Sequence, residues 1–500
     1  MYKNHPKGLF VLFFTEMWER FGFYTVLSIF VLYLIENFHW DPATVGNIYG
    51  IFVGTTFFLP LVGGWIADRF LGYGRTILIG LCTMAVGYAL LATPTREPWL
   101  LFLALVVISS GTGLYKANIY VLVGNLYTGS AASLKDAAFT IFYMGINLGA
   151  FLGPIAASSI KNFMIGTYHL PLAEAYNAGF GAASVGMLIA ITIFLSFRRH
   201  HKMADYRVAA RGAGEGVEAD IPKSEEKERL LSLLVVFASI IFFWMAYYQN
   251  GYTLTLFAKT YTASHVGRFT YLLFDPVSLL ALLAVLLAVS AAIRKTSTGK
   301  SRIIGGIVAL AALAVMVFKA AGFPESNPIS PESFQVFNPL FIIFLTPVMI
   351  WMFGYMGKHS KEPSSPGKMA IGMNLEALSF ILMIIASIGL PRLAAAGSGF
   401  LPVSPYWLIS SYFVITVSEL FLSPIGLSFV SKVAPPRLKG AMMGGWFAAQ
   451  ALGSYLSGFV GRFFARWELW EFFFLLVITS LFSAFIVVVS LKRLKKVSGA

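Results

Sequence analysis

Cysteine is all but missing. Cys82 stands alone among 500 residues, which excludes an intrachain disulfide and any cysteine-built metal site. Charge is scarce too: Asp, Glu, Lys and Arg make up 12% of the chain, against about 25% in a soluble domain. A solvated globular surface needs more. The seven histidines, His5, His39, His169, His200, His201, His265 and His359, fall in predicted loops or termini. No Ser-His-Asp or metal-ligand spacing appears, so a membrane-embedded enzyme would lack its catalytic constellation. The net charge of +14 does not signal a nucleic-acid partner, because the bases fall mostly in short loops between apolar runs. The first apolar run is too long for a cleavable signal and lacks its small-residue cleavage site.

What the chain does have is apolar. Hydrophobic residues reach 57%, aromatics 16%, and the mean hydropathy is +0.75. Runs of about 20 apolar residues indicate an all-α membrane protein crossing the bilayer many times. They lie near 8–36, 46–70, 76–94, 98–124, 138–160 and 172–197 in a first half, 1–197. A densely charged stretch, 198–229, reads as a cytoplasmic linker. The second half, 230–500, has runs near 230–258, 271–293, 303–321, 335–356, 369–390, 406–430, 440–463 and 470–491. About fourteen transmembrane helices are expected.

Basic residues give the orientation. With the N-terminus inside, the inner loops hold Lys3 and Lys7, Arg69 and Arg75, and the linker. They continue with Arg294, Lys295, Lys300 and Arg302, then Lys358, Lys361 and Lys368, then Lys432, Arg437 and Lys439, and finally the tail LKRLKK. The predicted outer loops ENFHWDPAT and TPTREP are nearly free of base. Both termini are therefore expected in the cytoplasm.

Ionisable residues inside the spans are few: Glu16, Glu19, Arg20, Lys116, Glu376 and Glu419. Charges at membrane depth cost roughly 2.5–3.5 kcal/mol each unless they face water or a partner, and they mark substrate or ion sites by default. Glu16, Glu19 and Arg20 lie three and four residues apart on one helix face. Two carboxylates beside one guanidinium leave a surplus negative charge that can take up and release a proton; an inert ion pair holding helices in register is the alternative. Lys116 follows Gly111 and Gly113, which permit close helix approach. Glu419 precedes Pro424, a helix breaker that could mark a gate or plain packing. Cations in the first half and an anion in the second suit a zwitterion bridging both. In GGWIADRFLGYGRT (63–76), Asp68 is expected to cap or to pair with Arg69 or Arg75 and to control a gate, or simply to end a helix. Glu376, in GMNLEAL, stands alone and receives no role.

Together these segments resemble the proton-dependent oligopeptide transporter family of the major facilitator superfamily. TEMWERFGFY looks like its ExxERFxYY motif, GGWIADRFLG like its second-helix signature, and GTGLYKAN like its GxGxxKxN run. FYMGINLGAFLGP (142–154), QNGYTLTLFA (249–258), FNPLFIIFLTP (337–347), SELFLSPIGL and KGAMMGGWF (439–447) follow in family order. The resemblance implies two six-helix bundles plus an extra helix pair, placed here near 271–322, rocking around a central site. It implies a proton-coupled symporter importing di- and tripeptides across the cytoplasmic (inner) membrane, acting as a monomer and needing no cofactor, metal or nucleic acid. By motif, Glu16, Glu19, Arg20 and Lys116 would couple protons. Arg20 and Lys116 would take the peptide carboxylate and Glu419 its amino group. Tyr24, Asn147, Asn338 and Trp446 would line the pocket, and Asp68, Arg75 and Pro424 would serve gating.

The chain also departs from the pattern. Phe23 replaces a motif tyrosine, Phe57 falls where relatives often carry another, and Gly50 falls where animal members place a histidine. Tyr248 precedes Gln249 where many relatives have an acid, so coupling would lean on the first-helix cluster. A carrier of the same fold for another small solute, such as nitrate, a drug or a peptide-like compound, is the competing reading, and a channel is a third.

Overall fold

In the computed structural model each apolar run becomes a helix whose ends are set by local chemistry. The structure describes residues 5–127, 134–205, 222–293, 299–395, 399–435 and 438–498. Lys3, Arg294, Lys295 and Arg437, read above as inner bases, lie outside the described residues. The first half holds α1 (Lys7–Phe38), α2 (Pro42–Phe58), α3 (Pro60–Ile66), α4 (Tyr73–Ala92), α5 (Pro98–Asn125), α6 (Lys135–Tyr168) and α7 (Leu172–Ser196). α1 stops where His39 turns left-handed and its N–H bonds back to the Ile35 carbonyl. The Asp41 carboxylate then caps α2 by accepting from the Ala43 and Thr44 amides, with Pro42 opening the helix. The second apolar run divides at Leu59 and Pro60 into α2 and α3, and a π-turn over Ala67–Leu71 ends it. Gly72 follows at φ 78°, a conformation that glycine adopts without a side-chain penalty.

The second half holds α8 (Lys223–Tyr247), α9 (Thr253–Thr260), α10 (Arg268–Tyr271), α11 (Pro276–Ile293), α12 (Gly299–Gly322) and α13 (Phe337–Lys358). It ends with α14 (Ser365–Ala386), α15 (Tyr406–Val433), α16 (Lys439–Gly461), α17 (Leu469–Val489) and α18 (Leu491–Ser498). α8 reaches back to Lys223, so the end of the charged stretch 198–229 is helical. α15 runs unbroken through Pro424. Among the described residues twelve helices, counting joined pairs as one, are long and apolar enough to cross a bilayer. α11 is shorter, and the Gly, Ser and Gln of α16 dilute its hydropathy. With those two, every expected span has its helix.

The halves pack as separate bundles. α1 lies against α6 and α7, and α4 against α5 and α7; in the other half α14 lies against α15 and α17, and α8 against α16 and α17. The seam between them is built by α2 on α16 and α6 on α13. Backbones nearly touch there: a Cβ on Gly458 would overlap the Gly46 carbonyl, and one on Gly50 would crowd Gly458 and the Tyr455 carbonyl. A side chain in place of Gly50 has no room.

We call the end bearing the α1–α2 turn the outer end, following the basic-residue expectation. Polar contacts joining the bundles gather at it. Tyr252 donates to the Pro42 carbonyl, Lys259 pairs with Glu36, and Lys161 pairs with Glu332 at 2.5 Å. Ser158 and Ser333 hydroxyls lie 3.3 Å apart, and Gln335 donates to the Ser28 carbonyl at 3.4 Å. The polar bonds that close the seam therefore lie at the outer end. The inserted α11 and α12 pack as a hairpin tied by Asp275 and Lys319 at 3.1 Å, and α12 is mostly exposed.

Candidate functional site

Burial of the α1 charges follows from its central position: Glu16, Glu19 and Arg20 are at most 5% exposed. Arg20 takes Glu19 as its two-point partner, with Nη2 2.6 Å from Glu19 Oε1 and Nε on Oε2. Glu16 stands farther, 3.6 Å from Arg20 Nε, and its other oxygen accepts from the Tyr115 hydroxyl at 2.7 Å. The guanidinium also sits 4.9 Å from the Phe23 ring centre, so the residue that replaces the motif tyrosine contributes a cation–π face instead of a hydroxyl.

Lys116 on α5 is half-buried. Its ammonium lies 3.7 Å from the centre of the Phe57 ring, and among the described residues it makes no ion pair. Phe57 in turn meets Tyr248 across the seam at 5.8 Å. The departure at Phe57 therefore leaves Lys116 a π face and no hydroxyl acceptor.

From the second bundle α15 presents Glu419, half-buried, where Oε2 accepts from Tyr247 at 2.8 Å and from Asn338 Nδ2 at 3.0 Å. Asn338 also donates to the Thr416 hydroxyl at 3.1 Å, which fixes its amide. No cation neutralises Glu419 among the described residues. Tyr24 lies in the field of Arg20, Glu19 and Glu16 of its own helix and of Glu419 of the other bundle. Tyr143 shares the field of Glu419 and Tyr24. The cations Arg20 and Lys116 thus come from one bundle and Glu419 from the other, with Tyr24 in the field of both Arg20 and Glu419.

The remaining expected residues are placed as follows. Asn147 is 4% exposed and donates Nδ2 to the Tyr143 carbonyl at 2.9 Å, one turn back on its own helix. Trp446 is buried edge-on against Gly426, where a Cβ would overlap its ring. Asp68 accepts from the Tyr73 hydroxyl at 2.6 Å and makes no ion pair among the described residues; the expected pairing with Arg69 or Arg75 does not form. Both of those arginines are exposed or nearly so, where an ion pair gains little. The turn is held instead by Asp205, which accepts from the Gly74 amide at 2.8 Å. Pro424 lies inside α15, which continues past it. Gln249 is fully buried; it donates to the Ser457 carbonyl at 2.9 Å and accepts from the Thr253 hydroxyl at 2.9 Å. Glu376 is sealed between α14 and its neighbours, and neither carboxylate oxygen has a hydrogen-bond partner among the described residues.

Sequence reasoning missed Tyr115, Tyr143 and Tyr247. Each adjoins a quoted motif, Tyr115 beside Lys116 and Tyr143 within FYMGIN, but a tyrosine in an apolar run gives no sign of its direction.

Comparison with known proteins gives the family. The profile of the POT family matches residues 74–210 and 325–469, more than half of the chain. A peptide transporter of Yersinia enterocolitica, YePEPT, is 32% identical over 92% of this chain and 88% of its own length. An uncharacterised transporter of Bacillus subtilis, YclF, is 31% identical over 91% of this chain and 88% of its own. Among solved structures, a mutant peptide transporter POT in complex with alafosfalin superposes with a TM-score of 0.75 at 26% identity, covering 99% of this chain and 96% of that one.

Proposed function

The chain belongs to the POT family, and from that premise we propose that it is a proton-coupled symporter moving di- and tripeptides across a membrane by alternating access. The observation that carries this reading is that the Arg20 cluster of one bundle and Glu419 of the other both act on Tyr24. A zwitterionic peptide suits that charge order. Its ammonium has Glu419, already aimed by Tyr247 and Asn338. Its carboxylate has Lys116, which no carboxylate occupies, and Arg20.

Arg20 supplies the coupling. A planar guanidinium binds one carboxylate at two points, and Glu19 already holds it that way. A peptide carboxylate therefore competes with Glu19. A proton on Glu19 removes its charge and releases Arg20 to the peptide; departure of the peptide reverses the exchange. Glu16, held by Tyr115, stays close enough to neutralise the cluster in either state. One chain carries both half-sites, so a monomer suffices. With the basic loops inside, both termini lie in the cytoplasm, and the protein resides in the cytoplasmic (inner) membrane.

Uptake into proteoliposomes under an imposed proton gradient tests the reading. Glu19→Gln, which keeps the shape but cannot lose a proton, should lose gradient-driven accumulation by about tenfold or more while retaining peptide exchange. Full accumulation in that variant would remove Glu19 from the coupling step. Competition by dipeptides separates this reading from a carrier of nitrate or of a drug.

A further inference from the structure

The outer seam holds one deeply buried ion pair that joins the bundles. Lys161 Nζ on α6 lies 2.5 Å from Glu332 Oε1, in the 3-10 turn Pro331–Val336 that leads into α13. The two side chains are 7% and 0% exposed. The other cross-bundle pair, Lys259 with Glu36, is about one-third exposed and open to screening. Lys161 also donates to the Ser330 hydroxyl at 3.3 Å and stands 5.6 Å from the Tyr176 ring centre. The second oxygen of Glu332 has no hydrogen-bond partner among the described residues, nor has the Ser159 hydroxyl. Next to them lies a cavity of about 50 Å³, roomy enough for water, where Ser158, Ser159, Asn162, Ser330 and Ser333 face apolar residues such as Ile155, Phe274 and Leu279.

The same turn reaches the substrate side. Glu332 and Asn338 are six residues apart on one continuous stretch, and Asn338 holds Glu419. Phe274, at the base of the inserted hairpin, packs on Phe334 at 5.1 Å and Phe337 at 5.6 Å. The hairpin thus braces the turn that carries the acid.

We propose that the Lys161–Glu332 pair is the charge lock of the outer gate, and that outward opening parts it with uptake of a proton by Glu332. The proposal rests on the alternating-access reading. Parting a buried pair leaves a lone ammonium and a lone carboxylate in a poorly solvated seam, which is costly. A proton from the outer side removes one of those charges and leaves a neutral acid that hydroxyls and water can satisfy. The charged groups around the lock cannot substitute for it. Glu36 of α1 and Lys259 of α9 pair with each other, as do Asp275 and Lys319 of the hairpin. α7 contributes Tyr176, and the start of α13 contributes only the neutral Asn338. The lock also places an acid at the gate in a chain whose seventh helix has Gln249 instead.

The test reads access to the seam rather than transport. In a Cys82→Ser chain, Ser158→Cys is a buried reporter on the lock's cavity. It is labelled from outside by a membrane-impermeant thiol reagent, with rates normalised to an exposed outer cysteine, Glu97→Cys. Labelling of the parent should be slow near neutral pH and accelerate in acid. Glu332→Gln and Lys161→Met should each raise the neutral rate by about tenfold or more and remove the acid acceleration. The exchanged pair Lys161→Glu with Glu332→Lys should return the rate towards the parent. A neutral rate and acid response unchanged in Glu332→Gln, in protein whose melting temperature matches the parent, would overturn the proposal. Peptide uptake by the parent is measured separately, so failure of the transport reading and failure of the lock are told apart.

Discussion

Arg20 has a carboxylate one residue away and another four away, and it binds the nearer one at two points. Side chains adjacent in sequence do not ordinarily face each other on a helix, so only packing could decide this. The presence of the cluster was legible because charge in an apolar run is costly; its internal pairing was not. Lys116 was legible for the same reason, but its partner Phe57 comes from another helix. Glu419 yields a prediction at this scale. Glu419→Gln keeps the acceptor for Tyr247 and Asn338 but loses the charge. Affinity for free peptides should fall by roughly tenfold or more, while N-acetylated peptides change little in a competition assay. A second concerns His201, which lies beyond α7, outside the membrane. Its ring stacks on Phe194 at 4.3 Å and contacts the Phe194 carbonyl at 3.0 Å. Burial holds it below its ordinary value of 6.5. The folded state then binds fewer protons than the unfolded state. The neutral ring's contribution is whole above that value and is lost as pH falls towards the depressed one. Melting temperatures of the parent should drop more between about pH 7.5 and about pH 5.5 than those of His201→Phe; equal drops would refute the assignment.

At the scale of elements, apolar length alone located the helices, and starting signals such as Asp41-Pro42 sharpened some ends. The lock residues show where that reading ran out. Lys161 fell one residue beyond the predicted span 138–160, and Glu332 three before the span 335–356. Both looked like loop charges until α6 proved to extend to Tyr168 and the 331–336 turn to be buried against it. Pro424 lies within α15, as a proline that can kink a helix without ending it. The α2–α16 crossing gives the prediction here. Gly458→Val should hold the two backbones apart, raise outer labelling of the Ser158→Cys reporter and cut uptake by roughly tenfold. Unaltered labelling would mean that the glycine contact does not limit closure.

For the molecule as a whole, two bundles of this kind could be foreseen from the order of the motifs. Which end is shut could not, because that depends on contacts between helices far apart in sequence. The hydroxyls of Ser158 and Ser333, 3.3 Å apart across the seam, allow a direct check. In a Cys82→Ser chain, cysteines at both positions should bond on oxidation and stop peptide exchange, and a reductant should restore it. Exchange that continued with cross-linking complete would exclude rocking about this seam. The polar bonds between bundles are concentrated at one end, and this has a kinetic corollary. Their summed strength sets what fraction of empty carriers points outward, and a ligand arriving from that side meets only this fraction, so its observed half-saturation is scaled by the inverse of the fraction. Loosening the seam would make the protein a tighter scavenger of dilute external peptide and a slower one to let go inside.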